Sequence, residues 1–140
     1  MCLNDENIVI LYRYEIEGLK PEDLLGFFEK WPNPPNPDKR LALLKNSEHV
    51  LIAFDDNNGK VVGFINAITD KTLSAYIPLL EVLPEYRKRG IGGELVKRMI
   101  GILNDLYMID ICCDDELAVY YEKFGFRKVA GMVYRNYDKV

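Results

Sequence analysis

The sequence predicts an α/β (α+β) fold in which a mixed, mostly antiparallel central sheet of about seven strands is flanked by about four helices. The 140 residues suffice for one domain, 1–140, with a complete core, and are too few for two domains. Segments with strand patterns and segments with helix patterns follow one another along the chain. Asn58-Gly59 lies between two apolar runs and is typical of a hairpin turn, so the strands on either side are expected to be antiparallel neighbours.

The first third of the chain predicts one strand and two helices around a stiff loop. Residues 8 to 15 are expected to form the first strand. Residues 21 to 30 are expected to form a helix, because they begin with proline followed by two acids. Four prolines between residues 32 and 37 exclude regular structure, and Asp38 is expected to cap a short helix over residues 39 to 45.

The middle third predicts three meandering strands and the main helix. Strands two and three are expected at 50 to 54 and at 60 to 69, and strand four at 73 to 83. Pro78 lies inside the fourth of these strands and predicts a bulge or a lost ladder bond there. From Ile91 onward the apolar residues fall on one face of a helix, which should pack on the sheet.

The last third predicts a buried strand over residues 108 to 113 and a helix over residues 114 to 124. Asp114 begins this helix, and Gly125 ends it. Residues 126 to 130 and 132 to 137 are then expected to form a final hairpin around Gly131. No repeat interrupts this order of elements.

Composition narrows the classes of function. With 49% apolar and 29% charged residues, the chain resembles an ordinary globular protein, and its apolar runs are too short to cross a bilayer. The net charge of -4 argues against a nucleic-acid surface. Asn4, Asp5 and Glu6 interrupt any signal-peptide pattern. Three cysteines without metal-ligand spacing fit a reducing compartment, so we expect a cytoplasmic protein with no metal, no nucleic acid and no membrane partner.

A basic, glycine-rich turn joins the predicted fourth strand to the main helix. Arg87, Lys88 and Arg89 precede Gly90, and Gly92 and Gly93 follow it. Glycines allow a ligand to approach the backbone closely, and the first amides of a helix together with its dipole attract negative charge. The turn therefore predicts an anion site suited to a phosphate or pyrophosphate.

Two known phosphate motifs do not fit this turn. A dinucleotide fingerprint requires glycine where Leu95 stands, and it opens a strand–helix–strand unit rather than following a fourth strand. A nucleoside triphosphatase loop requires Lys-Ser or Lys-Thr after its last glycine, where this chain has Glu94-Leu95. A helix start with a solvated basic face is the remaining alternative.

A second motif favours one family. The run Arg87-Lys88-Arg89-Gly90-Ile91-Gly92 is followed about thirty residues later by Tyr120-Tyr121-Glu122-Lys123-Phe124-Gly125-Phe126. Together with Leu79 to Tyr86 and the order of elements, these motifs resemble the GCN5-related N-acetyltransferase (GNAT) family, across nearly the whole chain.

The resemblance implies acetyl-coenzyme A (acetyl-CoA) as co-substrate. The residues implied to hold its pyrophosphate, by backbone amides and nearby basic side chains, are Arg87, Lys88, Arg89, Gly90, Ile91, Gly92, Gly93 and Glu94. In the family, the fourth and fifth strands part and the pantetheine arm pairs like an extra strand with exposed backbone, here around Val82 and Leu83.

Acetyl transfer to an amine needs a hydrogen-bond donor for the carbonyl oxygen, an acid for the leaving sulfur and a route for the amine proton. The resemblance assigns the first role to the Val82 amide and the second to Tyr121. Tyr120, Tyr121 and Phe124 also stand at helical spacing, so core packing is the alternative for Tyr121. We favour catalysis, because its position in the motif carries the role.

The base is less defined by the sequence. Glu81 is a carboxylate in an apolar strand, a setting that raises a pKa and suits a base, but an exposed edge glutamate is an equal alternative. Several relatives carry a base at the position of Tyr76. Because this chain has a tyrosine there, deprotonation of the amine through a water is also open. Asp114 stands at the helix cap where the family often has asparagine. Its negative charge puts the contact expected between this cap and pantetheine in question.

Other reactive residues are expected to be structural. Cys112 and Cys113 are interpreted as core or near-core residues rather than nucleophiles, because adjacent strand side chains point in opposite directions and no histidine is near. Acceptor contacts are expected from Trp31 with the proline-rich loop and from residues 134 to 137, with ordinary packing as the equal alternative.

The sequence therefore predicts an N-acetyltransferase that moves an acetyl group directly from acetyl-CoA to an amine of a small molecule or a peptide. It does not identify the acceptor, and it leaves a homodimer open. The alternative functions are a non-catalytic acyl-CoA sensor or interaction module and a structural domain without a cofactor.

Overall fold

A computed structural model describes residues 8–140, which form one six-stranded sheet with three α-helices. The strands are β1 (Ile10–Arg13), β2 (His49–Asp55), β3 (Val61–Thr69), β4 (Ser74–Ile77), β5 (Leu80–Val82) and β6 (Met108–Ile111), and the helices are α1 (Pro37–Lys45), α2 (Ile91–Ile102) and α3 (Ala118–Glu122). Short 3-10 segments cover Pro21–Leu24, Pro84–Tyr86 and Asp115–Leu117. The predicted fold class is confirmed, with slightly fewer strands and helices than expected.

The strands lie in the order β1, β2, β3, β4, β6, and β5 pairs with β3 beside β4. All pairs are antiparallel except β4 and β6, which are parallel. Helix α2 packs on the sheet at Gly63, where a Cβ would lie 3.4 Å from the side chains of both Ile91 and Leu95. The missing side chain at Gly63 thus lets the helix approach the sheet and fixes where α2 begins.

The predicted long fourth strand is broken at Pro78, as expected. The second half of β3 pairs with β4, and its first half pairs with β5. Asn66, which is 2% exposed, bridges the break. Its Oδ1 accepts the Leu79 N–H at 3.1 Å, and its own N–H donates to the Leu79 carbonyl at 3.3 Å. This buried asparagine therefore satisfies both backbone groups of Leu79 that the interrupted ladder leaves behind, one through its side chain and one through its own backbone N–H.

The break opens a gap in the sheet. Strand β6 pairs with β4 up to Ile77 and Ile111, and within residues 8–140 it forms no ladder with β5. Beyond that point β5 follows β3 while the chain after β6 leaves the sheet. The space between β5 and β6 lies next to the start of α2.

Two helix predictions need correction. The first helix ends at Leu24 instead of reaching residue 30, because Gly26 and Phe28 have φ of 87° and 63°, in the left-handed region that ends a helix. The cap of α1 is Asn36 rather than Asp38, since Asn36 Oδ1 accepts the Lys39 N–H at 2.9 Å.

The predicted final hairpin is wrong. Residues 126–136 form neither helix nor strand, and a turn covers Tyr137 and Asp138. Gly131 does not have the positive φ that the common two-residue hairpin turns require. Among the helices of the described chain, none combines the length and the apolarity needed to cross a membrane.

Candidate active site

A cavity of about 320 Å³ lies between β5, the start of α2 and α3. We call it the helix-start cavity. It is lined by Leu80, Glu81, Val82, Tyr86, Arg87, Lys88, Gly90, Ile91, Gly92, Gly93, Leu117, Tyr120 and Tyr121. Most of the residues predicted from the glycine-rich turn therefore surround one space.

The start of α2 has the geometry of an anion site. Gly90 caps the helix with φ 82° and has no side chain to cap the first turn. The first intrahelical bond is donated by Glu94 to the Gly90 carbonyl at 3.0 Å. The amides of Ile91, Gly92 and Gly93 precede that bond, and Gly90 to Gly93 all line the cavity. Amides and helix dipole thus act together at the cavity wall.

Glycine at positions 92 and 93 keeps this cavity open. A Cβ at Gly92 would lie 3.1 Å from the Tyr120 hydroxyl and 3.8 Å from Val82 Cγ2. A Cβ at Gly93 would lie 3.2 Å from Phe124 Cζ. Any side chain at these positions would narrow the space between α2 and α3.

The charged residues of the turn point in different directions. Arg87 Nη1 lies 2.7 Å from Glu29 Oε1, and its Nε donates to the Val82 carbonyl at 3.2 Å. Lys88 lines the cavity and has φ 63°. Arg89 is half-buried and does not line the cavity. Glu94 does not line it either, because its carboxylate pairs with Arg98 at 2.9 Å.

The ladder of β5 decides which backbone groups face the gap. Leu83 donates to the Val62 carbonyl at 2.9 Å and accepts the Tyr86 N–H at 2.9 Å. Antiparallel pairing alternates along a strand, so the Val82 N–H turns away from β3 toward the gap. Leu83 is buried and does not line the cavity. The backbone contact predicted at Val82 and Leu83 is therefore geometrically open at Val82 and closed at Leu83.

A second cavity of about 540 Å³, the acceptor-side cavity, adjoins the first. It is lined by Glu29, Lys30, Trp31, Ile77, Pro78, Leu79, Leu80, Glu81, Arg87, Ile111, Cys112, Cys113, Asp114, Leu117, Tyr121, Val133 and Arg135. Five residues line both cavities: Leu80, Glu81, Arg87, Leu117 and Tyr121. The two predicted catalytic side chains, Glu81 and Tyr121, thus lie where the cavities meet.

Tyr121 is 8% exposed and lines both cavities. Burial, with smaller contributions from Tyr120 and Cys113, raises its pKa to about 12. Its ring also packs, since it lies 5.1 Å from the Tyr120 ring and 6.0 Å from the Phe126 ring, centroid to centroid. Tyr121 is therefore a protonated hydroxyl held rigidly at the junction.

Glu81 is half-buried rather than an exposed edge residue. Burial raises the pKa of its carboxyl, an effect that the Phe28 amide and Arg87 partly offset. Its Oε1 accepts the Phe28 N–H at 2.7 Å. This contact fixes the carboxylate and also holds the left-handed residue that ends the first helix. Tyr76 lines neither cavity.

Cys112 and Cys113 are exposed, so the expectation of core or near-core positions for them is wrong. They follow the end of β6, where the chain leaves the sheet, and both line the acceptor-side cavity. Burial and nearby acids, of which Asp114 is the largest, raise the pKa of the Cys113 thiol, which disfavours the nucleophilic thiolate.

Sequence reasoning missed several residues that hold the site. Arg40 is 9% exposed and donates to the carbonyls of Pro35 and Leu24 at 2.8 Å each, which fixes the loop that carries Trp31. Tyr86 donates to the buried Asp55 carboxylate at 2.6 Å and anchors the turn before α2. Asn66 bridges the strand break. A polar residue within an apolar strand was the available signal for Asn66, whereas Arg40 had none.

A sequence model of the acetyltransferase (GNAT) family matches residues 16–126. An uncharacterized N-acetyltransferase, ycf52, of Pyropia yezoensis is 30% identical over 119 residues, which are 82% of this chain and 64% of the relative. The GCN5-related N-acetyltransferase 3, chloroplastic, of Arabidopsis thaliana is 36% identical over 72 residues, which are 50% of this chain and 30% of the relative. The chain therefore spans between 30% and 64% of the length of these two relatives.

Solved structures show the same fold. A protein of Deinococcus radiodurans R1 assigned as an acetyltransferase superposes with a TM-score of 0.92 at 40% identity, over 99% of this chain and 95% of the other. A GNAT family acetyltransferase of Streptococcus pneumoniae TIGR4 superposes with a TM-score of 0.74 at 26% identity, over 91% of this chain and 98% of the other. An aminoglycoside N-acetyltransferase in complex with CoA superposes with a TM-score of 0.66 at 18% identity, over 96% of this chain and 98% of the other. This is a likeness of fold alone.

Proposed function

Because the chain belongs to the acetyltransferase (GNAT) family, we propose that it is an enzyme that moves an acetyl group from acetyl-CoA directly to an amine. One observation carries the proposal. The helix-start cavity and the acceptor-side cavity meet at Glu81 and Tyr121, so a donor and an acceptor could approach each other there. Reaction geometry of this kind is what acyl transfer needs.

The helix-start cavity fits a CoA thioester. The amides of Ile91, Gly92 and Gly93 would hold the pyrophosphate, and Lys88 lies beside them. The absence of a Cβ at Gly92 leaves the space that such a ligand requires. The CoA bound by the aminoglycoside N-acetyltransferase of the same fold supports this choice of donor. Acetyl-CoA supplies the activated acetyl group, and the chain supplies the roles described below.

The Val82 N–H is proposed as the donor to the acetyl carbonyl oxygen. It faces the gap, and its own carbonyl is held by Arg87 Nε at 3.2 Å, which fixes the orientation of the strand there. A preorganised backbone donor stabilises negative charge as it develops on that oxygen.

Tyr121 is proposed as the hydrogen-bond donor and acid for the leaving sulfur. With its pKa raised to about 12 it is fully protonated at neutral pH. A thiol has a pKa of about 8.5, so complete transfer of the proton to a thiolate is uphill by about 5 kcal/mol. Tyr121 is therefore proposed to act first through its hydrogen bond. The proton that it finally gives to the sulfur is replaced by the one that the amine loses to Glu81.

Glu81 is proposed as the base that receives the amine proton, directly or through a water. Its raised pKa makes it a better proton acceptor than an ordinary glutamate, and the Phe28 amide holds it at the junction. The amine would approach through the acceptor-side cavity, where Trp31 and Arg135 form part of the wall.

The acceptor is proposed to be an amine of a small molecule or a peptide, since the walls of this cavity carry both acidic and basic groups without a dominant charge. The basic cluster is confined to the turn before α2, so we propose neither a nucleic-acid nor a membrane partner. We propose a cytoplasmic location, because Cys112 and Cys113 are exposed, unpaired thiols of the kind that reducing compartments maintain.

A panel of amines tests this function. The whole chain is incubated with acetyl-CoA and each amine, and the release of free CoA thiol is measured alongside calorimetric titration of acetyl-CoA. We expect micromolar binding and amine-dependent release of thiol. Binding without release for any amine would favour an acyl-CoA sensor, and no binding would favour a domain without this co-substrate.

A further inference from the structure

Residues 25–31, which we call the acceptor loop, border the acceptor-side cavity. The base of the loop is fixed in the core, because Phe27 and Phe28 are 4% and 2% exposed and their rings pack against the Phe64 ring. The next three residues form an exposed tip that lines the cavity: Glu29, Lys30 and Trp31. The loop therefore has a rigid base and a protruding tip.

One ion pair attaches this tip to the rest of the molecule. Glu29 Oε1 lies 2.7 Å from Arg87 Nη1, in the turn before α2. The Trp31 N–H donates to the Phe28 carbonyl at 3.1 Å, a contact inside the loop. Within residues 8–140, no other hydrogen bond or ion pair joins the tip to a residue outside the loop. The position of the tip thus depends on Glu29 and Arg87.

Arg87 is itself oriented by β5. Its Nε donates to the Val82 carbonyl at 3.2 Å while its Nη1 meets Glu29. A guanidinium presents its donors in a rigid planar fork, so one side chain holds both partners in a fixed relation. Arg87 lines both cavities, whereas Glu29 lines the acceptor-side cavity and not the helix-start cavity. The pair therefore connects the acceptor loop to the strand that carries the proposed donor amide.

Overall stability does not account for this pair. The side chains of Arg87 and Glu29 are 40% and 39% exposed, and exposed ion pairs contribute little to the free energy of unfolding. The Lys60–Glu85 pair is similarly exposed, at 50% and 48%, and neither of its residues lines either cavity. The two pairs differ in what they join, so Lys60–Glu85 provides a matched control for Glu29–Arg87.

We propose that Arg87 is a positioning residue for the acceptor, which acts through Glu29 to hold the acceptor loop at the junction of the two cavities. The inference rests on the proposed function, because the loop borders the space where the amine would lie. The Phe28 amide holds Glu81 Oε1 at 2.7 Å independently of the pair, so a displaced tip would leave the base in place and change the wall that faces the amine. Loss of the pair should therefore act mainly on the KM for the amine.

Trp31 reports the position of the loop, since it is the one tryptophan of the chain. It lies on the tip, is 44% exposed and packs edge-on against the Phe28 ring at 5.2 Å. In Glu29→Ala and in Arg87→Lys, which keeps the charge but loses the fork, we expect quenching of its fluorescence by acrylamide to rise by about twofold. Glu85→Ala should leave the quenching unchanged. Added salt should increase quenching in the wild type and not in Glu29→Ala, because salt screens exposed ion pairs.

Steady-state kinetics with an amine that the chain acetylates tests the consequence for the reaction. We expect the KM for the amine to rise by about fivefold or more in Glu29→Ala and in Arg87→Lys, with kcat within about twofold of the wild type. Glu29→Ala should bind acetyl-CoA as the wild type does in calorimetry. Because both changes break one pair, the double variant should be no worse than the more affected single variant. Glu85→Ala should match the wild type.

Two results would overturn the proposal. One is Trp31 quenching that neither Glu29→Ala nor Arg87→Lys changes, and the other is a displaced loop with an unchanged KM for the amine. Quenching needs no turnover, so it decides whether the pair holds the loop even in a chain that acetylates no amine. Failure of all amines would instead refute the proposed function.

Discussion

The sheet lacks a neighbouring strand in two places, which are built differently: the gap between β5 and β6 beyond the end of the β4 ladder, and the outer edge of β6. On the inner side, the gap toward β5 is bordered by fixed polar groups: the Val82 amide, the start of α2 and Glu81 anchored by Phe28 at 2.7 Å. On the outer side, β6 faces residues 124–130 across two cavities of about 550 and 570 Å³, whose lining mixes apolar side chains with exposed charged ones such as the Lys128–Asp115 pair.

This difference teaches what each opening can accept. In both openings, the backbone N–H and C=O groups that no ladder pairs need another hydrogen-bond partner. Amides at a helix start attract an anionic ligand and a fixed carboxylate can take up a proton, whereas a strand edge without a ladder offers only its backbone groups. Variants on one side should therefore leave the other side unaffected, and the following predictions test that separation.

The largest effect is expected at Tyr121. Tyr121→Phe removes the hydroxyl at the junction of the two cavities and keeps the ring that packs on Phe126. Turnover should fall by about 100-fold or more, with acetyl-CoA affinity unchanged. Steady-state kinetics and calorimetry measure this, and Tyr120→Phe on the same helix is the control. Turnover within about twofold of the wild type would assign Tyr121 to packing alone.

The strand break that opens the gap should be the next most sensitive point. Asn66→Ala removes the Oδ1 that accepts the Leu79 N–H and the Nδ2 that donates to Ser47 Oγ, so we expect the free energy of unfolding to fall by about 2 to 3 kcal/mol in denaturant titrations. Asn58→Ala, at an exposed turn residue, is the control and should change it by less than about 1 kcal/mol. Equal effects of the two would mean that Asn66 does not hold the break.

Gly92→Ala should separate ligand binding from stability. The added Cβ would lie 3.1 Å from the Tyr120 hydroxyl, so acetyl-CoA affinity should fall by about tenfold or more. Folding should not suffer, because alanine favours a helix by about 1 kcal/mol over glycine. Gly101→Ala, in the same helix with no atom within 4 Å of its Cβ, should raise stability and leave affinity intact. If both variants bind acetyl-CoA with the same affinity, the acetyl-CoA site does not lie at the start of α2.

Glu81→Gln should have the smallest effect and a distinctive pH dependence. We expect kcat/KM at neutral pH to fall by about tenfold and the rise of activity with pH to disappear. The pKa of Glu81 is raised in the folded state, so the stability linked to its proton is full below the ordinary glutamate pKa and is lost as pH rises through the raised value.

Glutamine at position 81 carries no titrating proton, so the variant does not lose this stability as pH rises. Thermal unfolding should therefore show Glu81→Gln more stable than the wild type at neutral pH, with the difference vanishing in acid. A variant that is less stable at neutral pH would contradict the raised pKa, and an unchanged pH profile of activity would exclude Glu81 as the base.

Local patterns predicted much of the fold, because their causes are local. The Asn58-Gly59 pair, the apolar face of α2 and the break at Pro78 all act within a few residues. The end of the first helix was not predictable, since it depends on Phe28 donating to Glu81, 53 residues away. The final hairpin failed for a similar reason, as periodicity shows that residues 132–137 suit a strand but not which strand they pair with.

The candidate site divides in the same way. The glycines of the turn and the tyrosine of the second motif could be found from residue type and spacing. Which of Val82 and Leu83 offers an open amide depends on the register against β3, and the partner of Arg87 is Glu29 on a distant loop. Neither of these is visible without the folded chain.

The central claim is that acetyl-CoA enters the gap between β5 and β6 and binds the start of α2. Backbone amide NMR of the chain titrated with acetyl-CoA tests this most directly. We expect saturable shifts and slowed hydrogen exchange at Val82 and at residues 91–93, with the outer edge of β6 unaffected. Absence of shifts at these amides under saturating acetyl-CoA, or shifts confined to the outer edge of β6, would contradict it.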